Sequence, residues 1–288
     1  MIPRCDKKER TCPYCRSVGR LYVSWGARRY FRCGGCDLIF RDIQGEQHEG
    51  ELYLYYKDRY FDEHGGEEIM GNRDPIYRRV MDAIERKKST GALLDVGCGC
   101  GFLLKEAQDR GWRVMGVDPS VKSTDHAEAL VGKCLFRGML SDFPEGPTYD
   151  VVTFINVLDH SALPWIDIRH AERLLKGEGL LFLRFLNGRF HPWMLRRSSY
   201  FPISTILGRE PVLHEYSFTP FFIRRMLKDC GFDRIEIRNA GLSGGRLWAR
   251  MLKTLVAAAV HFLYVTSARR LLLGPSLEVM ARKKEHVL

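Results

Sequence analysis

No apolar run in this chain reaches the roughly 18–20 residues that a membrane-spanning helix needs. The nearest, Leu255–Val265, is interrupted by His261 and followed by Arg269 and Arg270. The segment Met1–Arg10 carries charges but no apolar stretch, so a secretory signal is not expected and a cytoplasmic location is. Internal repeats and low-complexity tracts are absent, and Gly, Pro and charged residues sit near globular averages, so disorder is not indicated.

Hydrophobic residues make up 45% of 288 positions, enough for one full α/β domain with a small appendage. The formal net charge is +10. Such a surface can attract RNA, anionic lipid or acidic substrates, and does not by itself choose among them. The nine cysteines are an odd number. Without a secretory route, metal ligation explains them better than a disulfide framework.

Four of them form two pairs, Cys12-Pro13-Tyr14-Cys15 and Cys33-Gly34-Gly35-Cys36. Two such tight turns can place four thiolates tetrahedrally around one ion, with Zn–S near ~2.3 Å. Leu21–Trp25 and Tyr30–Arg32 between them fit two short antiparallel strands, so a structural zinc ribbon over residues 1–43 is expected. Iron accepts the same ligands. A redox pair is the weaker reading, because no thioredoxin-like unit surrounds either pair. Arg16 and Asp37 stand where glycine often follows such a pair, and Cys5 is expected to be free.

Residues 44–74 read as a polar and aromatic linker, and residues 75–288 as the main domain. Asp74 suits a helix N-cap and Pro75 the first helical position. Ile76, Val80 and Ile84 share a face, with Arg86-Lys87-Lys88 expected in the last turn. Buried strands are expected at Ala92–Val96, Val114–Val117, Tyr149–Ile155 and Gly179–Arg184, and helices over 102–110, Ser120–Leu130 and about 166–175. Apolar strands alternating with helices predict a mostly parallel sheet covered on both faces.

The strand Ala92–Val96 runs into Asp95-Val96-Gly97-Cys98-Gly99-Cys100-Gly101-Phe102. Alternate glycines let the backbone turn sharply and approach a ligand closely. A dinucleotide fingerprint would need glycine at Phe102 and no acid at Asp95. The spacing instead resembles motif I of class I S-adenosylmethionine (SAM)-dependent methyltransferases. The resemblance continues through Gly116-Val117-Asp118-Pro119-Ser120, Tyr149-Asp150-Val151-Val152 to Asn156-Val157-Leu158-Asp159-His160, Leu174–Gly179, His214–Phe232 and Pro275–Arg282. It implies a Rossmann-like, seven-stranded doubly wound sheet preceded by the zinc-ribbon module. It also implies that Gly97, Gly99 and Gly101 pass under the methionine part of SAM while Asp95 orients the loop. Asp118 would hold the ribose, and Met139 or Leu140, with Asp142 nearby, would lie against the adenine. Asn156 and Leu158 would border the methyl group. Cys98 and Cys100, where other small residues are usual, are expected to be packing residues.

Methyl transfer from a sulfonium mainly needs alignment, and a base only for a poor nucleophile. His160, after the fourth strand of that pattern, and His214, before the late helix, are the candidate catalytic residues, with Asp159 placed to orient either. The ribbon followed by Cys36–Phe40, Tyr55–Phe61 and this domain is similar to bacterial methyltransferases of sugar, polysaccharide and secondary-metabolite pathways. That similarity implies a hydroxyl or amine of a small-molecule or glycan-type acceptor, lipid-linked acceptors included.

Two further features bear on partners. Arg28-Arg29-Tyr30-Phe31-Arg32 mixes cations and aromatics as an RNA-methylating ribbon would, although a solvated face is the simpler reading. Arg246–Leu273 predicts a basic amphipathic helical insertion. It would pack on the core or in a homodimer contact, or lie peripherally on the inner face of a membrane. A non-catalytic, cofactor-binding interaction protein is the third functional class, and the intact Asp95, glycine loop and Asp118 argue against it.

Overall fold

The computed structural model describes residues 8–25, 28–42, 54–55, 57, 61–62, 74–146, 148–197, 214–240, 266–267 and 271–285. Most of the linker at 44–74 and most of the insertion at 246–273 lie outside the described residues.

Among the described residues the strands form two sheets. The smaller contains β1 (Glu9–Thr11), β2 (Val18–Trp25), β3 (Arg28–Cys33), β4 (Ile39–Arg41) and the distant β10 (Tyr216–Ser217), in that order. The larger runs β11-β12-β9-β8-β5-β6-β7. Its strands are β5 (Ala92–Val96), β6 (Arg113–Asp118), β7 (Leu135–Arg137), β8 (Tyr149–Ile155), β9 (Leu175–Leu186), β11 (Phe232–Asn239) and β12 (Ser276–Lys283). β12 is antiparallel to both its neighbours, β9 and β11, and the other pairings are parallel. This is the Rossmann-like seven-stranded arrangement expected.

The strands are apolar on both sides because both faces are covered. Leu93, Val151, Leu180 and Phe182 pack against α1 (Asp74–Glu85) and α2 (Phe102–Asp109), with Val131 of α3 (Val121–Val131). Their neighbours Leu94, Val152, Leu181 and Leu183 face α4 (Pro164–Leu174) and α6 (Pro220–Asp229). Period-two alternation thus feeds two cores. Phe31, Leu38 and Phe40 of the ribbon join the second core directly. Each large side chain buried this way contributes about 1.5–3 kcal/mol.

Several expectations shift. α1 ends at Glu85, so Arg86, Lys87 and Lys88 follow the helix rather than forming its last turn. Helix α4 begins at Pro164, earlier than expected, and β9 begins at Leu175. The segment Leu175–Gly179 is therefore strand with a register shift against β8, not a free turn. A second short helix, α5 (Phe190–Arg197), and the edge strand β7 had no sequence expectation.

β5 is the topological switch: the chain moves from it to β6 and β7 on one side, then returns to β8 and β9 on the other. Ligand clefts in open α/β sheets form at the carboxyl ends of strands at such a point.

Candidate active site

The loop after β5 is built on left-handed backbone. Gly97, Gly99 and Gly101 have φ of 68°, 51° and 80°. A Cβ on Gly97 would strike Val157, and one on Gly101 would come within 2.8 Å of the Ala127 Cβ. On Gly99 it would meet no protein atom, so that glycine opens onto free space. The loop hangs from β6: the Gly97 and Cys98 amides donate to the Val117 carbonyl.

Asp118 at the end of β6 locks this geometry. Its Oδ2 accepts the Gly99 amide at 2.9 Å and its Oδ1 the Ser120 amide at 2.8 Å. Burial raises its carboxyl pKa, while those two amides pull it down. Asp95 lies beneath the loop, 3% exposed, and accepts a 2.6 Å hydrogen bond from the Thr153 hydroxyl. Burial pushes its carboxyl up to about 7, the Thr153 bond opposes the rise, and the Asp118 charge adds to it.

Between the ends of β5, β6 and β8 opens a cleft of about 180 Å³. Gly97, Gly99, Asp118, Met139, Leu140 and Asn156 line one stretch, and His160, Ser161, Ala162 and Asp167 another. Asn156 holds a left-handed φ of 57°, its amide donates to the Arg184 carbonyl, and its side-chain oxygen accepts from the Arg184 guanidinium. Two expected residues are placed elsewhere. Leu158 is fully buried under the short 3-10 turn Leu158–His160, and Asp142 is exposed. Asp95 and Gly101 support the loop from outside the cleft wall. Cys98 is buried, its sulfur under the space a Gly116 side chain would fill.

The two candidate histidines meet. The His160 and His214 rings are 3.7 Å apart between centroids, and Asp159 Oδ2 is 3.9 Å from His214 Nε2. Burial, then His160, pushes the His214 imidazole down to about 4. Sequence reasoning missed His191, in α5, whose imidazole burial also pushes down to about 4 and which senses both His214 and Asp159. No spacing in the sequence ties that helix to the other two histidines. It also missed Ser161 and Asp167, which hydrogen-bond each other at the cleft rim.

A second cluster forms where the sequence expected it. The ligand atoms of Cys12, Cys15, Cys33 and Cys36 lie within 4.8 Å of one another, with Sγ–Sγ distances of 3.6 Å (Cys12–Cys36) and 3.4 Å (Cys15–Cys33). Arg16 and Asp37 both adopt φ of 64°, the left-handed turn that glycine would adopt more easily. Their amides donate to the Cys12 and Cys33 carbonyls, closing two matching knuckles. The Gly35 amide points at Cys33 Sγ, 3.3 Å away. A hydrogen bond from Cys36 draws the Cys12 thiol below its ordinary value, against the effect of burial.

Comparison with known proteins gives this geometry a family. A family model described as a methyltransferase domain matches residues 68–237, more than half of the chain. The chain belongs to the methyltransferase-domain family. Curated relatives include the ubiquinone biosynthesis O-methyltransferases of Bartonella tribocorum and Actinobacillus pleuropneumoniae. The first is 27% identical over 131 residues, 42% of this chain and 49% of that protein. The second is 31% identical over 132 residues, 42% of this chain and 53% of that protein. The chain thus spans about half the length of the curated relatives it matches. Among solved structures, the SAM-bound magnesium protoporphyrin IX methyltransferase of Synechocystis aligns with a TM-score of 0.53 at 17% identity, covering 84% of this chain and all of that one. At that identity the likeness establishes the class I methyltransferase fold. Among the described residues, no helix is long and apolar enough to cross a membrane.

Proposed function

We propose that the chain is a SAM-dependent methyltransferase acting on a hydroxyl or amine of a small-molecule or glycan-type acceptor. The observation that carries this reading is the continuity of the cleft, from the Asp118 carboxylate to His160, Ser161 and Asp167. SAM would supply a methyl group already activated on sulfonium. Gly97 and Gly99 leave backbone exposed for close approach, and Asp118, with its amide bonds made, keeps lone pairs for two ribose hydroxyls. Met139 and Leu140 offer an apolar face for adenine. At the other end His160, with His214 and Asp159 behind it, faces the space an acceptor would occupy.

The O-methyltransferase names of the curated relatives favour oxygen over nitrogen. The four cysteines suit zinc: four soft thiolates, two knuckles and an amide aimed at sulfur form a closed structural donor set. An RNA substrate is the less favoured reading, because Arg32 pairs with Asp37 at 2.5 Å and Arg29 with Asp42 at 3.5 Å, which spends the ribbon's cations internally. The segment 246–273 remains a proposed peripheral contact with membrane or a second copy.

The test uses methyl-labelled SAM with purified protein and a fractionated bacterial lysate. Label in an organic-extractable or small-glycan fraction supports the reading. Label confined to RNA overturns it.

A further inference from the structure

The cluster behind His160 is arranged more like a ligand set than a hydrogen-bonded relay. We propose that Asp159, His160 and His214 bind a divalent transition-metal ion at the acceptor end of the cleft, separate from the cysteine site. One ligand atom from each of the three lies within 4.8 Å of the other two. Contraction of under about an ångström would bring them onto an ion at roughly 2.0–2.2 Å. His214 and Asp159 do not satisfy each other: 3.9 Å between His214 Nε2 and Asp159 Oδ2 exceeds hydrogen-bond reach.

Asp159 supplies an independent observation. The residue is 2% exposed, and its Oδ1 has no hydrogen-bond partner among the described residues. A buried carboxylate oxygen left so is costly unless a cation faces it. One Asp159 carboxylate oxygen shares this 4.8 Å cluster with a nitrogen of each imidazole, and two imidazoles with one carboxylate select borderline ions such as zinc, iron or cobalt over magnesium or calcium.

The place in the fold gives the ion a use. His160 lines the cleft while Asp159 is buried behind it, so open coordination positions face the acceptor. This use rests on the methyltransferase reading, whereas the binding itself does not. An acceptor hydroxyl bound to the ion loses its proton to water at lower pH than when free. The resulting alkoxide or phenoxide oxygen forms the new C–O bond as the C–S bond of SAM breaks. S-adenosylhomocysteine and one proton are the by-products.

The full chain would be stripped of metal, reloaded with Co2+ alone, and followed by metal analysis and absorption spectroscopy. The expected result is one equivalent of cobalt without thiolate charge-transfer bands, beside the cobalt held by cysteines. The Asp159→Ala/His214→Ala double variant loses that equivalent and keeps the thiolate bands. Wild-type protein whose only cobalt shows thiolate bands overturns the proposal, whether or not the variant folds. A thiolate-free equivalent that survives in the folded double variant overturns it as well. SAM titration on the same samples reports separately on the methyltransferase reading: failure to bind SAM sinks that reading and leaves the metal count standing.

Discussion

Tyr216 pairs with Phe40 across the edge of the ribbon sheet, and Ser217 with Ile39. A two-residue strand from within the methyltransferase domain thereby completes the N-terminal sheet. The Tyr216 hydroxyl donates to the Ala162 carbonyl at 2.9 Å, in the cleft wall, and His214 stands two residues upstream against His160. Glu215 adds a 2.8 Å ion pair to Arg41. The ribbon is thus a brace for the His160 end of the cleft. It is fixed further by Arg225 donating to the Gly35 carbonyl and Tyr14 to Asp229.

Breaking the cysteine cluster should therefore loosen His214–Thr219 first. In Cys15→Ser, hydrogen exchange at 214–219 is expected to speed up and methyl transfer to fall at least about tenfold. SAM affinity should change by less than about threefold, because the cofactor end hangs from β5 and β6. Equal loss of SAM affinity and activity would contradict the bracing role.

The glycine loop has little tolerance. Gly101→Val combines a left-handed φ with a clash on α3 at Ala127. A cost of about 1–3 kcal/mol from the backbone alone, plus the clash, should lower Tm by several degrees and weaken SAM binding. Gly111→Ala, at φ 84° but with nothing near its Cβ, is the control that isolates backbone strain. Similar Tm losses in the two variants would show that the Ala127 contact contributes little.

Asp95 makes stability depend on pH. Its folded-state pKa, about 7, lies above the usual 3.8, so the folded state binds the proton more tightly than the unfolded chain. This contribution is full below about pH 4 and is lost as pH rises through 7. Asp95→Asn keeps an acceptor for Thr153 and cannot ionise. The apo wild type should lose stability relative to the variant between about pH 4 and pH 7, by an amount on the order of a few kcal/mol. Parallel stability curves for the two would contradict the raised pKa.

What could be read in the sequence follows from how local the signal was. β5 and its glycine loop are contiguous, and the buried alternation of Leu93 and Leu94 or Val151 and Val152 serves two covered faces, so both register as pattern. The cysteine knuckles register by spacing alone, and Arg16 and Asp37 take up the left-handed turn despite their side chains. β10 is two residues long, too short for any periodicity, and its meaning depends on a partner over 170 positions away. Leu158 falls one position from the cleft wall because a 3-10 turn, not an extended strand end, carries it inward. His191 comes within electrostatic reach of His214 and Asp159 only through tertiary packing, which no spacing reports.

The most direct test of the account is calorimetric titration of SAM into the wild-type chain and into Asp118→Ala. Removing Asp118 strips the Gly99 and Ser120 amides of their acceptor and the cleft of its proposed ribose ligand. The account predicts one SAM per wild-type chain and an affinity loss of at least about tenfold, ~1.4 kcal/mol, in the variant. No binding to the folded wild type, or equal affinity in both proteins, would contradict it.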